Sequence, residues 1–427
     1  EWNNPYTKMF GDQASVETVL PGNTVDGGGF LIHTQYNSHN NFYNPADGGS
    51  KLGVANIGGK IRSSFFTTDL YAGYVQDRIR PWSWLEVSPG IRYYNNAVGY
   101  ADHTQQDFAF APGVVAPSHC LLKGAFTSTP GNITIQSAAC DAMETRGGFE
   151  PSLNLAINPR PWLSLYGGYS EELKAPQLGG GGGFFQGVDP ATYHLARAEY
   201  AQGGFKVHFE RLGPMARLLA GASYFHLFYA GQEQDIGLAN GDTISASATS
   251  AYRGVNAFTD VDATQKLHLF LNGTVERAQY SSYVVGESID SQGVLQPGSI
   301  PFSGLPVPYV PQSLLNLGAY YTVPLGDVAV IQPRVWYQYT GTQTIFDNSL
   351  ARPSTQAMAS FGTLNLGANI PLSRFNLRLT AMNVTNRRYN QFVYISAGNY
   401  FATPTGGYAL AYPGSPFTFF GTFSVRF

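Results

Sequence analysis

Eight aromatic residues in the long polar segments of this sequence are the side chains best suited to hold a ligand. Aromatic rings offer a large contact area at a low cost in conformational entropy, and they commonly line small-molecule sites. An alternative for each ring is that it simply packs the connecting segments together. The eight residues are Phe184, Phe185, Tyr193, Phe346, Tyr394, Tyr400, Phe401 and Tyr408.

Motifs for metal, phosphate or catalytic chemistry are weak. The run from Gly179 to Gly183 lacks the Lys-Ser/Thr pair of a phosphate loop, so we expect a flexible hinge in a mobile loop instead. The eight histidines are scattered without ligand spacing, which predicts no metal site and no resident cofactor. No nucleophile elbow or paired-carboxylate motif is present, which argues against an enzyme. A barrel-borne hydrolase remains the enzymatic alternative.

Two cysteines, Cys120 and Cys140, lie in one long segment rich in Pro, Ser, Thr and Gly. In an oxidising compartment, such a pair is expected to form a disulfide that closes the loop. Two free thiols are the alternative.

The elements that would position these residues are best seen at the C-terminus. Phe417, Phe419, Phe423, Val425 and Phe427 occupy alternate positions, and mostly polar residues fall between them. Because alternate side chains of a strand point to opposite faces, this segment has an aromatic face and a polar face. Its length is that of a strand crossing a bilayer, about 9–11 residues. The pattern is typical of an outer-membrane barrel, with lipid on one side and a wet lumen on the other.

Composition agrees with a barrel. Only 12% of the 427 residues are charged, against about 25% in soluble domains, while 14% are aromatic and 49 residues are glycine. Mean hydropathy is −0.14, and no run of about 18 apolar residues exists, which excludes a transmembrane helix. A large soluble β-sandwich or propeller is the alternative, although such domains carry more surface charge. The net charge of −3 comes with no basic patch, so no nucleic-acid partner is expected.

Six pairs of alternating segments precede the terminal strand, each pair joined by a short turn. The sequence therefore predicts thirteen antiparallel strands, with one more strand possible near Phe30–Tyr36. The twelve paired segments are Phe65–Ile79, Trp84–Tyr94, Phe149–Ile157, Trp162–Ser170, Ala198–Phe209, Ala216–Tyr229, Ile244–Phe258, Gln265–Glu276, Gln312–Val323, Val328–Tyr339, Phe361–Ile370 and Phe375–Asn383.

Short turns on one side and long loops on the other are typical of outer-membrane barrels. Trp82, Trp84 and Trp162 sit at the short turns, where an interfacial aromatic belt is expected. Bacterial single-chain barrels have even strand numbers, so thirteen strands ending in the periplasm imply a chain that starts outside the cell. We therefore expect residues 1–64 to form mostly an extracellular loop, and residues 65–427 to form the strands. No signal peptide is visible, so we expect the N-terminus to be processed or truncated.

Several stretches together resemble the C-terminal barrel of TonB-dependent outer-membrane receptors. Their order and spacing carry the resemblance over about residues 65–427, and the aromatic terminus completes it. The stretches are Leu70–Ile79, Trp84–Tyr94, Glu150–Pro159, Leu163–Pro176, Arg197–Lys206 and Asn383–Tyr389.

This resemblance implies a 22-stranded barrel filled by an N-terminal plug, of which about 13–14 strands fall in this sequence. It implies binding of a scarce ligand outside the cell, followed by energy-coupled passage driven by the TonB complex through a short N-terminal box. The expected ligand is a small-molecule chelate, a ferric siderophore, with iron present only as part of that cargo. Cobalamin, haem and oligosaccharide are alternatives.

The plug, the box and the first strands are not found in these residues. We therefore expect either a fragment of a longer product or a loss of coupling. A passive porin-like channel in the outer membrane is the second functional hypothesis. Lumen-facing Arg378 and Arg426 are expected to contact the plug, to attract an anionic chelate or to be solvated in the lumen.

Overall fold

The computed structural model is built from β-strands and tight turns, and it describes most of the chain. The described residues are 2–3, 6–41, 43–44, 50–51, 62–102, 127–129, 132–134, 140–175, 195–237, 243–289, 295–326, 329–347, 354–372, 374–396 and 408–425. None of them forms a helix long and apolar enough to cross a bilayer.

Fifteen long strands form one antiparallel sheet in which each strand pairs with the next. They are β2 (Tyr6–Leu20), β3 (Asn23–Asn41), β6 (Arg62–Trp82), β7 (Leu85–Asp102), β10 (Cys140–Arg160), β11 (Leu163–Lys174), β12 (Ala196–Phe209), β13 (Arg217–Gly237), β14 (Thr243–Asp262), β15 (Leu267–Ile289), β17 (Ser313–Tyr321), β19 (Ala329–Thr340), β22 (Phe361–Leu372), β23 (Phe375–Met382) and β26 (Thr418–Val425).

Shorter strands extend this sheet or form separate small sheets. Three of them lengthen the main sheet: β1 (Trp2–Asn3), β16 (Leu295–Pro301) and β18 (Val323–Leu325). Two small pairs are β4 (Tyr43–Asn44) with β5 (Ser50–Lys51), and β8 (Thr127–Thr129) with β9 (Asn132–Thr134). The loop sheet, as we call it, comprises β20 (Gln343–Asp347), β21 (Ser354–Met358), β24 (Asn390–Ser396) and β25 (Tyr408–Pro413).

The all-β antiparallel class predicted from the sequence is confirmed, and all thirteen predicted strands are present. The expectation that residues 1–64 are mostly a loop is wrong, because β2 and β3 form a long hairpin there. Pro21 and Gly22 make its tight turn, with Gly22 at a positive φ of 74°. This turn signal was available in the sequence. Strand β2 was missed because Asp12 shares a face with Phe10 and Val16 and obscures the alternation.

Many strands are longer than the alternation predicted. Strand β13 runs to Gly237 and pairs with Thr243 of β14, so this hairpin continues well beyond the predicted strand end at Tyr229. Backbone pairing satisfies N–H and C=O groups whatever surrounds the strand. Apolar alternation, in contrast, persists only where one face meets an apolar medium. The sequence pattern therefore stops before the strand does.

The sheet has an apolar face and a polar face, as the alternation predicted. Large apolar side chains on one face are exposed, including Ile91, Phe149 and Leu269. The opposite face carries buried polar side chains, among them Asn96, Ser250 and Asn365. This distribution is inverted relative to a soluble protein, in which apolar side chains are the ones removed from water.

The short turns gather at one end of the sheet, and we call it the short-turn end. Trp82 and Trp84 stack there with ring centroids 5.4 Å apart, and Trp162 stacks on Phe209 at 5.2 Å. Backbone hydrogen bonds join neighbouring turns, from Asn158 N to Trp84 O at 2.7 Å and from His208 N to Trp162 O at 2.9 Å. The three tryptophans are exposed at this end, where the sequence placed an aromatic belt.

Candidate functional site

The candidate site lies at the opposite, long-loop end, where a segment before β17 folds back along the sheet. We call residues 302–312 the strap. Its amides follow the edge of β15, with Phe302 N donating to Tyr283 O at 2.8 Å and Val307 N donating to Ala278 O at 3.1 Å. The strap therefore continues the ladder beside β15, above the point where β17 leaves it.

A buried apolar cluster fixes the strap to the polar face. Phe302 and Tyr280 are each only 2% exposed, and Phe302 stacks on Tyr283 with ring centroids 4.6 Å apart. Removing these rings from water stabilises the strap by about 1.5–3 kcal/mol per ring. The cluster comprises Ala248, Ala278, Tyr280, Tyr283, Phe302 and Val307.

Tyr309 connects the strap to the loop sheet. Its backbone N–H donates to Thr344 O at 2.8 Å, and its hydroxyl donates to Val393 O at 3.1 Å. Its ring stacks on Phe392 at 4.7 Å. A non-glycine residue at a φ of 62° is uncommon, and the contacts on both sides hold it there. One residue thus ties the strap to both β20 and β24.

The loop sheet brings together three of the eight aromatic positions predicted to bind ligand. Phe346 lies on β20 opposite Thr355, Tyr394 lies on β24 opposite Leu410, and Tyr408 lies on β25 opposite Ser396. The bridge between Asp347 and Ile395 joins β20 to β24, so the three positions share one sheet.

The remaining predicted positions fall outside the described residues. They are Phe184, Phe185, Tyr193, Tyr400 and Phe401, with the Gly179–Gly183 run and Arg426. Cys120 is also outside, whereas Cys140 begins β10, where its backbone pairs with Asp102.

Sequence reasoning missed the strap itself. None of the predicted strands includes the segment Pro301-Phe-Ser-Gly-Leu-Pro-Val-Pro-Tyr-Val-Pro311, which has four prolines and no alternation. Its recurring apolar residues, such as Phe302, Leu305 and Val307, were the available signal. A solvated loop has little reason to carry so many.

We expect Phe302→Ala to detach the strap while leaving the main sheet intact. The cavity left by this ring should cost about 3–5 kcal/mol locally. Limited proteolysis of the full-length protein in detergent would then cut the segment at 302–312 much faster than in wild type. Leu325→Ala, which truncates an exposed side chain at the short-turn end, serves as the control. Equal cleavage rates in both variants would contradict an anchoring role for Phe302.

The motif Asn383–Tyr389 forms the base of the loop sheet. Asn383 is 2% exposed, and its Nδ2 donates to Arg387 O at 2.9 Å and to Ser415 O at 3.0 Å. Its Oδ1 accepts from Arg387 N at 2.9 Å. Tyr389 then stacks on Phe361 at 4.1 Å. The motif therefore fixes the chain where it leaves β23 for β24 and where it returns toward β26.

The polar face below the strap offers neutral hydrogen-bonding groups. Asn272, Asn316 and Gln338 are direct cross-strand partners on β15, β17 and β19, so their amides form a row. Nearby, Thr274 Oγ1 donates to Asn256 Oδ1 at 2.8 Å. A cavity of about 480 Å³ opens along this row. Since neutral amides both donate and accept hydrogen bonds, this row can bind a polar solute whatever its charge.

A buried ion pair braces the same face further along the sheet. Glu150 on β10 is 4% exposed and pairs with Arg92 on β7. Its other oxygen accepts a hydrogen bond from Leu173 N at 2.6 Å. Backbone pairing of β10 with β11 stops at Ser152 and Ser170, so the Glu150 carboxylate replaces a ladder partner where the two strands part.

An antiparallel sheet with an exposed apolar face, a polar face and a structured long-loop end defines the class of transmembrane β-barrels. Residues 2–386 match the family described as TonB dependent receptor-like, beta-barrel. The chain belongs to this family, as the sequence resemblance implied. Members of this family are known as outer-membrane proteins, and the family and its structural neighbours are receptors and transporters.

Solved structures show the same fold at low sequence identity. The ferric yersiniabactin uptake receptor FyuA from Yersinia pestis has 12% identity and a TM-score of 0.65, covering 99% of this chain and 54% of its own. The ferric-catecholate import receptor Fiu from K12 E. coli has 16% identity and a TM-score of 0.62, covering 100% and 55%. The copper transporter OprC has 11% identity and a TM-score of 0.70, covering 100% and 57%.

This chain thus spans about half the length of these neighbours. No curated protein matches it significantly.

Proposed function

We propose that this chain forms the barrel wall and ligand-facing loops of an outer-membrane receptor that takes up a ferric siderophore with energy from the TonB complex. The observation that carries the proposal lies in the described part of the long-loop end, where the strap, Tyr309 and the loop sheet are bound to one another. Loops fixed in this way can hold ligand-contacting side chains in one arrangement. Membership of the receptor family supports the same function.

The partners in this proposal follow from the two faces of the sheet. Exposed apolar side chains such as Phe149, Phe419 and Phe423 would contact the lipid of the outer membrane. The polar face would line the lumen, and the TonB complex would act through an N-terminal plug and box. The long-loop end would face the outside of the cell, with a disulfide between Cys120 and Cys140 in its loops.

The proposed ligand contacts are the predicted aromatic residues. Phe346, Tyr394 and Tyr408 come from three strands of one small sheet, so they could meet one ligand together. Phe184, Phe185, Tyr193, Tyr400 and Phe401 are proposed to complete the site. A ferric siderophore is supported by the printed functions of FyuA and Fiu, whereas OprC is a copper transporter. The cargo therefore has to be tested directly.

Uptake of radiolabelled iron in the native cells tests the proposal. Under iron limitation, deletion of the gene should abolish uptake of one ferric siderophore from a panel, and a proton uncoupler should abolish it in wild type. Tyr394→Ala should weaken binding of that siderophore by about tenfold, the value of one well-packed aromatic contact. Tyr321→Ala, on the exposed apolar face, is the matched control. Uncoupler-resistant solute flux with unchanged iron uptake would instead indicate a passive channel.

A further inference from the structure

Two arginines on the polar face lie on either side of strand β22. Arg334 on β19 is opposite Gly367 of β22, and Arg378 on β23 is opposite Asn369 of the same strand. Gly367 and Asn369 are two residues apart, so both arginines project from the same face at neighbouring levels. They lie between the amide row and the short-turn end.

Gly367 provides the space that brings the two side chains together. A Cβ atom at this position would lie 2.8 Å from Nε of Arg334, so the arginine occupies the place of a side chain on β22. The guanidinium also stacks over the ring of Trp336, with Cζ 4.5 Å from the ring centroid. The ring and the glycine thus hold Arg334 across β22 toward Arg378.

Neither guanidinium has a counter-ion among the residues that the structure describes. The other arginines of the polar face differ, since Arg92 pairs with Glu150 and Arg217 pairs with both Asp260 and Asp262. The charges of Arg334 and Arg378 instead repel each other. Both arginines are exposed on the polar face, and two like charges on neighbouring side chains favour an anion between them.

Amide side chains complete the surroundings. Asn369 Nδ2 donates to Gln332 Oε1 at 3.2 Å, which leaves its own Oδ1 buried without a partner in the described part of the chain. Asn376 Oδ1 is also buried without a hydrogen-bond partner among the described residues. Since the two ends of an amide exchange by rotation, these side chains can turn an N–H toward an anion.

We propose that Arg334 and Arg378 form a carboxylate-binding site in the lower lumen, positioned by Gly367 and Trp336. Two planar guanidinium forks match the two oxygens of a carboxylate. The carboxylate can come from a free anion in transit or from an acidic side chain of the full-length protein that enters the lumen. The site depends only on the barrel wall and does not require the cargo to be a ferric siderophore.

Binding and melting of the purified full-length protein in detergent test this site. The probe is tricarballylate, a tricarboxylate. Its uncharged trimethyl ester is the control ligand, which should not bind. Isothermal titration should show tricarballylate binding that weakens at least about tenfold in Arg334→Gln and in Arg378→Gln. Arg374→Gln removes a charge from the adjacent turn and should bind as wild type. Gly367→Ala retains both charges but displaces Arg334, and it should also weaken binding.

The melting temperature distinguishes the two sources of the carboxylate. If an acidic side chain of the protein occupies the site, wild type will not bind the probe, yet Arg334→Gln and Arg378→Gln will melt lower than Arg374→Gln. If the anion is free, the two variants will melt no lower than Arg374→Gln without the probe, and tricarballylate will raise the melting temperature of wild type and Arg374→Gln but not of the two variants. The proposal is overturned if neither binding nor melting separates the two variants from Arg374→Gln.

Discussion

Asn383→Ala will lower the free energy of unfolding by about 3–5 kcal/mol, because it removes three buried side-chain hydrogen bonds at once. The carbonyls of Arg387 and Ser415 and the N–H of Arg387 would lose their partner in a site closed to water. Asn383 also lies at a φ of 50°, where alanine is strained. Unfolding in urea, followed by tryptophan fluorescence of the full-length protein in lipid vesicles, measures the change.

Two further variants separate the causes of this loss. Asn383→Gly accepts the positive φ and should recover about 1 kcal/mol relative to alanine. Asn386→Ala is the matched control, since Asn386 has a φ of 47° but its Oδ1 accepts only one hydrogen bond, from Phe417 N at 3.0 Å. Its expected cost is about 1 kcal/mol. If Asn386→Ala proved as damaging as Asn383→Ala, the buried network around Asn383 would not be the anchor we describe.

Glu150→Ala will destabilise the barrel by about 3–5 kcal/mol, because it leaves Arg92 without a counter-ion and the N–H of Leu173 without an acceptor. Glu150→Gln retains an acceptor for Leu173 N and should lose less. In a double-mutant cycle, Arg92→Gln combined with Glu150→Ala should cost less than the two single changes added together. The same urea titration gives all four values.

An exposed ion pair supplies the control for Glu150. Arg80 Nη2 lies 2.8 Å from Glu86 Oε2, with the Arg80 side chain 58% exposed. Glu86→Ala should therefore cost about 0–1 kcal/mol. Similar losses from Glu86→Ala and Glu150→Ala would show that burial and the contact with Leu173 add nothing to the Glu150 pair.

The sequence alone determined the barrel class, the thirteen central and C-terminal strands and the family. These features depend on period-two alternation, because lipid on one side of a strand and a wet lumen on the other select apolar and polar residues in turn. In one strand, for example, Phe375, Leu377 and Leu379 alternate with Asn376 and Arg378. Short turns such as Asn158-Pro-Arg-Pro are local signals as well. Each can be recognised without knowing which strand pairs with which.

The tertiary structure decided how distant segments meet. The strap on Tyr280 and the sharing of one loop sheet by Phe346, Tyr394 and Tyr408 depend on contacts far apart in sequence. The placing of Arg334 beside Arg378 depends on the register of three strands and on the missing side chain of Gly367. Register is a property of strand pairs, so no single segment of the sequence carries it.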